Sequence, residues 1–218
     1  MSEPGSYQLT PLQADVLRAF FERERGFFLT GGAALVGYYL HHRETTDLDL
    51  FATEDDSFER GRHALAGAAA KLGATLEVRQ DSPDFKRFTI TRGDDLVVVD
   101  LVRDRVPQLC PDKTDFDGVR VDPLREIAAN KLTTVVSRME ERDLVDLFVL
   151  ERSGTVAENL LDAALAKDGG CTPATLAWLL SQITIPDGAR LPGGIDPREL
   201  QNWLAGLVGR LRRAAAPR

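Results

Sequence analysis

The chain is poor in cysteine, methionine and histidine, with two, two and three of each in 218 residues. The two cysteines, Cys110 and Cys171, make no disulfide framework, and no CxxC pair occurs. A reducing cytoplasm is therefore the expected setting. No apolar run approaches the roughly 18 residues of a membrane span. The first residues, MSEPGSYQLT, have neither a basic stretch nor an apolar core, so no secretory leader is expected. Basic charge is not in excess: 27 Lys and Arg stand against 34 Asp and Glu, a net charge of −7. A general nucleic-acid coat protein would be basic, so any contact with nucleic acid must be local. Four arginines in the C-terminal RLRRAAAPR, Arg218 among them, read as a solvated tail or a small patch. There is no internal repeat, and neither Ser6 nor Ser57 sits in a GxSxG nucleophile context.

What is present is ordinary globular material, 43% hydrophobic and 28% charged. A chain of this length buries roughly 70% of its unfolded surface and needs no staples. Thr10-Pro11, Asp122-Pro123, Thr172-Pro173 and Asp196-Pro197 each pair an N-cap side chain with proline at the first helical position. The first predicts a helix from Pro11 to about Arg25. Phe27–Leu29 reads as a strand, Thr30-Gly31-Gly32 as a turn and Ala33–Leu40 as a helix. Alternation predicts a strand over Asp47–Phe51. A helix follows over Ser57–Leu72, capped by Ser57, then strands at Thr75–Arg79, Phe85–Thr91 and Leu96–Val102. Beyond Pro123 only helices are expected, over 123–138, 142–151, 156–167, 173–182 and 197–213. The expected architecture is α/β (α+β): a core with a small mixed sheet over residues 1–120, then a helical region over 121–218.

Asp47 and Asp49 lie two apart on a predicted strand and so share a face. Two such carboxylates repel when ionised, and a cation between them relieves this. Oxygen donors suit a hard ion, Mg²⁺ or alternatively Mn²⁺. Asp100 interrupts a Val-rich strand, where an unpaired charge is costly, and it is explained if it joins the same metal site. Upstream, adjacent glycines let backbone approach a ligand, and a helix start favours phosphate. Thr30, Gly31 and Gly32 are thus candidate phosphate contacts. Fourteen residues separate Gly32 from Asp47. The order of phosphate cradle and metal site supplies the parts of two-metal nucleotidyl transfer.

The segment LTGGAALVGYYLHHRETTDLDLF resembles the signature of the nucleotidyltransferase superfamily that includes DNA polymerase β, and most of all its AbiEii/MenT-type toxin branch. His41, His42, Arg43, Thr45 and Thr46 fill that branch's polar bend. Asp100 falls where the superfamily's third metal-binding carboxylate is expected. The branch's later pattern, a helical Lys and then Arg-Asp-x-x-Asp-Leu, matches Lys131 and Arg142-Asp143-Leu144-Val145-Asp146-Leu147. The resemblance spans roughly residues 25–150 and none of the last 65 or so. It implies polymerase β-type fold and nucleotide transfer from an NTP to a hydroxyl, with pyrophosphate release. It further implies an acceptor at the end of tRNA and a cognate antitoxin. Lys131 becomes a candidate triphosphate ligand, with Asp146, or Asp143, positioning it or the acceptor.

If 123–150 were one helix, Arg138 and Arg142 would lie within about 20° of Lys131, Asp146 about 60° away and Asp143 about 120° away. A break near Met139–Glu141 would upset this, and an Arg142–Asp146 pair on a solvated face is the plainer reading. Lys131, Arg138, Arg142 and the C-terminal arginines could form a basic stripe for RNA. His41 and His42 read as a polar bend rather than ligands, His63 as structural, and Trp178 and Trp203 as core. Cys110 carries no chemistry. Alternatives remain: transfer to a small molecule such as an aminoglycoside, a nucleotide-binding module without turnover, or a purely structural protein.

Overall fold

The computed structural model describes residues 8–216; Ser6, Arg218 and most of the MSEPGSYQLT stretch lie outside them. Two compact units are present. One comprises the described residues up to Val106 together with Cys110–Pro123, and the other Leu124 onward together with Pro107–Leu109.

The first unit is a mixed sheet with helices. Its elements are α1 (Pro11–Phe21), β1 (Phe27–Thr30), α2 (Gly31–Ala34, continued by a π-helical turn over Leu35–Tyr39), β2 (Asp47–Ala52), α3 (Asp55–Lys71), β3 (Thr75–Ser82), β4 (Phe85–Arg92), β5 (Asp95–Arg103), β6 (Thr114–Phe116) and β7 (Val119–Val121). The seven strands stand in the order β3-β4-β5-β2-β1-β7-β6. β2 runs parallel to β5 and β1 parallel to β7, while the other neighbours are antiparallel. The sequence signals for β6 and β7 were too short to read, three residues each.

Strand alternation divides this sheet sharply. Phe27, Leu29, Leu48, Leu50, Ala52, Val97, Val99 and Leu101 are all fully buried. They face α1 and α3: Phe20 of α1 meets Phe27 edge-to-face at 5.3 Å. A Cβ on Gly61 of α3 would come within 2.6 Å of the Phe27 ring and 3.1 Å of Leu101, so glycine there sets how closely helix and sheet approach. The opposite face carries Thr30, Asp47, Asp49, Arg87 and Asp100 by register.

The N-caps expected at Thr10, Thr172 and Asp196 are all formed. At Thr10 it is a full capping box with Gln13. The Asp122 carboxylate instead forms a buried ion pair with Lys113 at 2.7 Å. Ser57 caps nothing, because α3 begins two residues earlier; its hydroxyl accepts from Arg60. The first helix ends at Phe21, short of Arg25.

The second unit is helical: α4 (Leu124–Ser137), α5 (Glu141–Arg152), α6 (Leu161–Lys167, preceded by a 3₁₀ turn), α7 (Pro173–Ser181) and α8 (Pro197–Ala214). Lys167 forms a buried ion pair with Glu126 and donates to the Pro107 carbonyl at 2.9 Å, tying that short segment to the helices. Trp203 packs edge-on against Phe148. Trp178 is 63% exposed, so its expected core role is wrong: on α7, Leu176, Ala177 and Leu180 take the buried positions and leave it outside. His63 likewise lies on the exposed side of α3.

Candidate active site

β2 is six residues of strict alternation, with Leu48, Leu50 and Ala52 buried and Asp47, Asp49 and Phe51 half-buried. Parallel pairing with β5 sets Asp49 directly beside Asp100, and antiparallel pairing with β1 sets Thr30 beside Asp49 from the other side. Thr30, Asp47, Asp49 and Asp100 are therefore brought together on one face. Gly31 follows at once, at φ +65°, a left-handed conformation suited to glycine. A Cβ there would stand 2.4 Å from Oδ2 of Asp49. The glycine is needed twice, for its backbone and for the space the carboxylate occupies.

The bend before β2 is built rather than loose. Gln13 is buried; its amide donates to the Thr45 carbonyl at 2.9 Å, while its side-chain oxygen accepts from the backbone N–H of Thr10. The Thr45 hydroxyl donates to Asp47 Oδ1 at 3.2 Å. Arg43 is buried, and its guanidinium borders Gly32, where a Cβ would meet it at 2.7 Å. A cation thus stands beside the glycine turn. In the sequence Arg43 is marked only as part of a polar bend, and Gln13 carries no functional mark. The Thr10-x-x-Gln13 capping pattern was the available signal.

Arg87 was also missed. It sits on β4 opposite Asp100, and its guanidinium donates to both carboxylate oxygens, at 2.8 and 2.7 Å. The Arg87 side chain is 47% exposed and that of Asp100 only 6%. Donating to Asp100 raises the already high pKa of Arg87, and the charges of Asp100, Asp47 and Asp49 add to this against the opposing effect of burial. β4 and β5 form a hairpin closed by Arg92 and Asp95 across Gly93-Asp94, so the Arg87–Asp100 pairing is set by that local turn, which was the available signal.

The second sequence block forms a different arrangement. Residues 123–150 are not one helix: α4 stops at Ser137, Met139 has φ +29°, and α5 starts at Glu141. The shared-face arithmetic therefore fails. In its place, Lys131 Nζ donates to Asp143 at 2.8 Å and pairs with Asp146 at 2.7 Å. The Lys131 side chain is 6% exposed and both carboxylates are fully buried. Asp143 also accepts from the backbone N–H of Glu140, closing the capping box of α5. It binds the helix break to the lysine. Arg142 pairs with Glu140 at 2.6 Å, and Arg138 lies 3.5 Å from Asp143. Lys131, being buried, is no part of an exposed basic stripe.

The carboxylate set fits a hard divalent cation in donor chemistry. Among the described residues no three His, Cys, Asp or Glu side chains stand arranged to hold a metal as they are. At Asp100 both oxygens are already engaged by Arg87.

The match to known proteins now bears directly on this geometry. Residues 15–201 match the model of the nucleotidyl transferase AbiEii toxin family of type IV toxin–antitoxin systems. The chain belongs to that family. It is a nucleotidyltransferase, of the kind that uses an NTP and in general a divalent metal. Its fold is shared with JHP933 from Helicobacter pylori at 19% identity and TM-score 0.60, covering 94% of each chain. MenT4, a nucleotidyltransferase toxin from Mycobacterium tuberculosis, is similar at 16% identity and TM-score 0.50, covering 94% of this chain and 81% of that one. No curated protein sequence matches this AbiEii-family chain. Among the described residues no helix is long and apolar enough to cross a membrane.

Proposed function

We propose that this AbiEii-family enzyme transfers a nucleotidyl group from an NTP to a hydroxyl at the acceptor end of tRNA, in the cytoplasm, as the toxin of a pair with a cognate antitoxin. The observation that carries the site assignment is the cross-strand register that sets Asp47, Asp49 and Asp100 on one face beside Gly31. In this reading Asp47, Asp49 and Asp100 hold Mg²⁺, or Mn²⁺. The metal, when bound, neutralises phosphate charge and lowers the pKa of the attacking hydroxyl. Thr30, Gly31 and Gly32 contact the phosphates through backbone N–H groups, and Arg43 adds a fixed positive charge there. The acceptor oxygen attacks the α-phosphorus in line, its proton passes to a carboxylate, and the bond to the β-phosphate breaks to release pyrophosphate.

Lys131 is assigned to the triphosphate on the family resemblance, with Asp146 as its orienting partner. Asp143 shares that task, because both carboxylates grip the same ammonium. Two carboxylates hold the lysine amine in one position, which suits a point-charge phosphate ligand.

The test is incubation with total tRNA, aminoglycosides and each α-labelled NTP in Mg²⁺. Label in tRNA supports the reading and names the nucleotide. Label on an aminoglycoside selects a small polycationic acceptor, which the acid-rich face would also suit. NTP binding without any transfer leaves a binding module and overturns the proposal.

A further inference from the structure

Asp100 is a nearly buried carboxylate whose two oxygens are both taken by one arginine. The fork–fork geometry, at 2.8 and 2.7 Å, is the strong bidentate form of this contact. Its inner end is fixed: Asp100 is 4% exposed and sits in a strand between β2 and β4. Its outer end is not: Arg87 is 47% exposed on its side chain and rests against the Phe85 ring at 5.4 Å. The charges of Asp47 and Asp49 also attract Arg87. The guanidinium thus occupies the field of all three carboxylates, where a dication would gain most.

We propose that Arg87 and a divalent cation compete for the two oxygens of Asp100, so that Asp100 becomes a metal ligand only when Arg87 swings out. The inference rests on the metal-site reading above and deepens it. Simultaneous occupation is disfavoured because a guanidinium within hydrogen-bond reach of Asp100 repels a dication on the same carboxylate. Departure is feasible because a long, half-exposed side chain can rehydrate its charged head. Arg87 is a positioning residue in this scheme: it keeps the buried charge of Asp100 compensated until the metal does so. The arrangement makes metal affinity weaker than three carboxylates would give, and adjustable through one side chain.

Equilibrium binding of Mn²⁺ to the intact protein without nucleotide, read from the signal of free Mn²⁺, tests this. Arg87→Gln should bind Mn²⁺ about ten-fold more tightly than the native protein. Arg87→Lys, which keeps the charge, should stay near native. Adding Asp100→Asn to Arg87→Gln should abolish the gain. The melting temperature of Arg87→Gln should be low in EDTA and recover with Mn²⁺ more than the native protein's does. Native or weaker Mn²⁺ affinity in folded Arg87→Gln overturns the competition. If Asp47→Asn and Asp49→Asn leave Mn²⁺ binding unchanged, the metal-site reading itself fails, and the competition with it.

Discussion

The two units of the chain handle buried acid in opposite ways. On the sheet, three aspartates share one face; Asp100 is paired with an arginine that is half in solvent, and the buried Arg43 stands beside the adjoining glycine turn. Among the helices, two aspartates close around one lysine, and all three side chains are buried. The first arrangement has a half-exposed partner on Asp100, one that can be exchanged for another cation. The second is locked, with its lysine oriented and the α5 cap built into it. Sequence spacing alone shows neither difference, since both read as aspartates two or three residues apart.

The largest way to break the contrast is Lys131→Met. It removes the buried ammonium that Asp143 and Asp146 share, at a cost of about 3–5 kcal/mol. Thermal unfolding should shift down by about 10 °C. Arg87→Gln should cost less, because its pair is partly solvated at the arginine end. If the two variants melt alike, the distinction between a locked and an open cluster is wrong.

Gly31→Ala sharpens the sheet side. The left-handed backbone and the 2.4 Å approach to Asp49 both oppose a Cβ. A loss of about 1–3 kcal/mol is expected, with kcat falling more than stability alone explains because Asp49 is pushed aside. Denaturant titration beside NTP-transfer kinetics reads both.

The smallest effect concerns pH. Burial, helped by the charge of Asp168, raises the Cys171 thiol to about 11 from the usual 9.0. The folded state therefore keeps the proton that the unfolded chain loses first. The contribution is intact below pH 9 and is lost as pH rises to about 11. Cys171→Ala should flatten that part of a melting-temperature profile. A thiol reagent at pH 8 should label Cys110, which is partly exposed, and spare Cys171.

Much of the fold was legible because its signals are local. Thr10, Thr172 and Asp196 mark helix starts with proline beside them, and the alternation in DLDLF fixes which face Asp47 and Asp49 take. The candidate site was legible as far as residues on one strand go. Arg87 was not, because an arginine on a strand carries no functional mark of its own; only counting the register outward from the Arg92–Asp95 turn sets it opposite Asp100. Asp143 was underrated for a related reason. A continuous helix would have turned it from Lys131, and the break at Met139 is what brings it back. β6 and β7 escaped because three residues carry no period.

The central claim is that the carboxylate face of the sheet is where nucleotide transfer occurs. The most direct measurement compares α-labelled NTP transfer by the native protein with that by Asp49→Asn, with folding of both confirmed by thermal melting. The account predicts a loss of about 10³-fold or more in transfer with melting unchanged or slightly raised, since one of two repelling charges is gone. Native-like transfer by folded Asp49→Asn would contradict it.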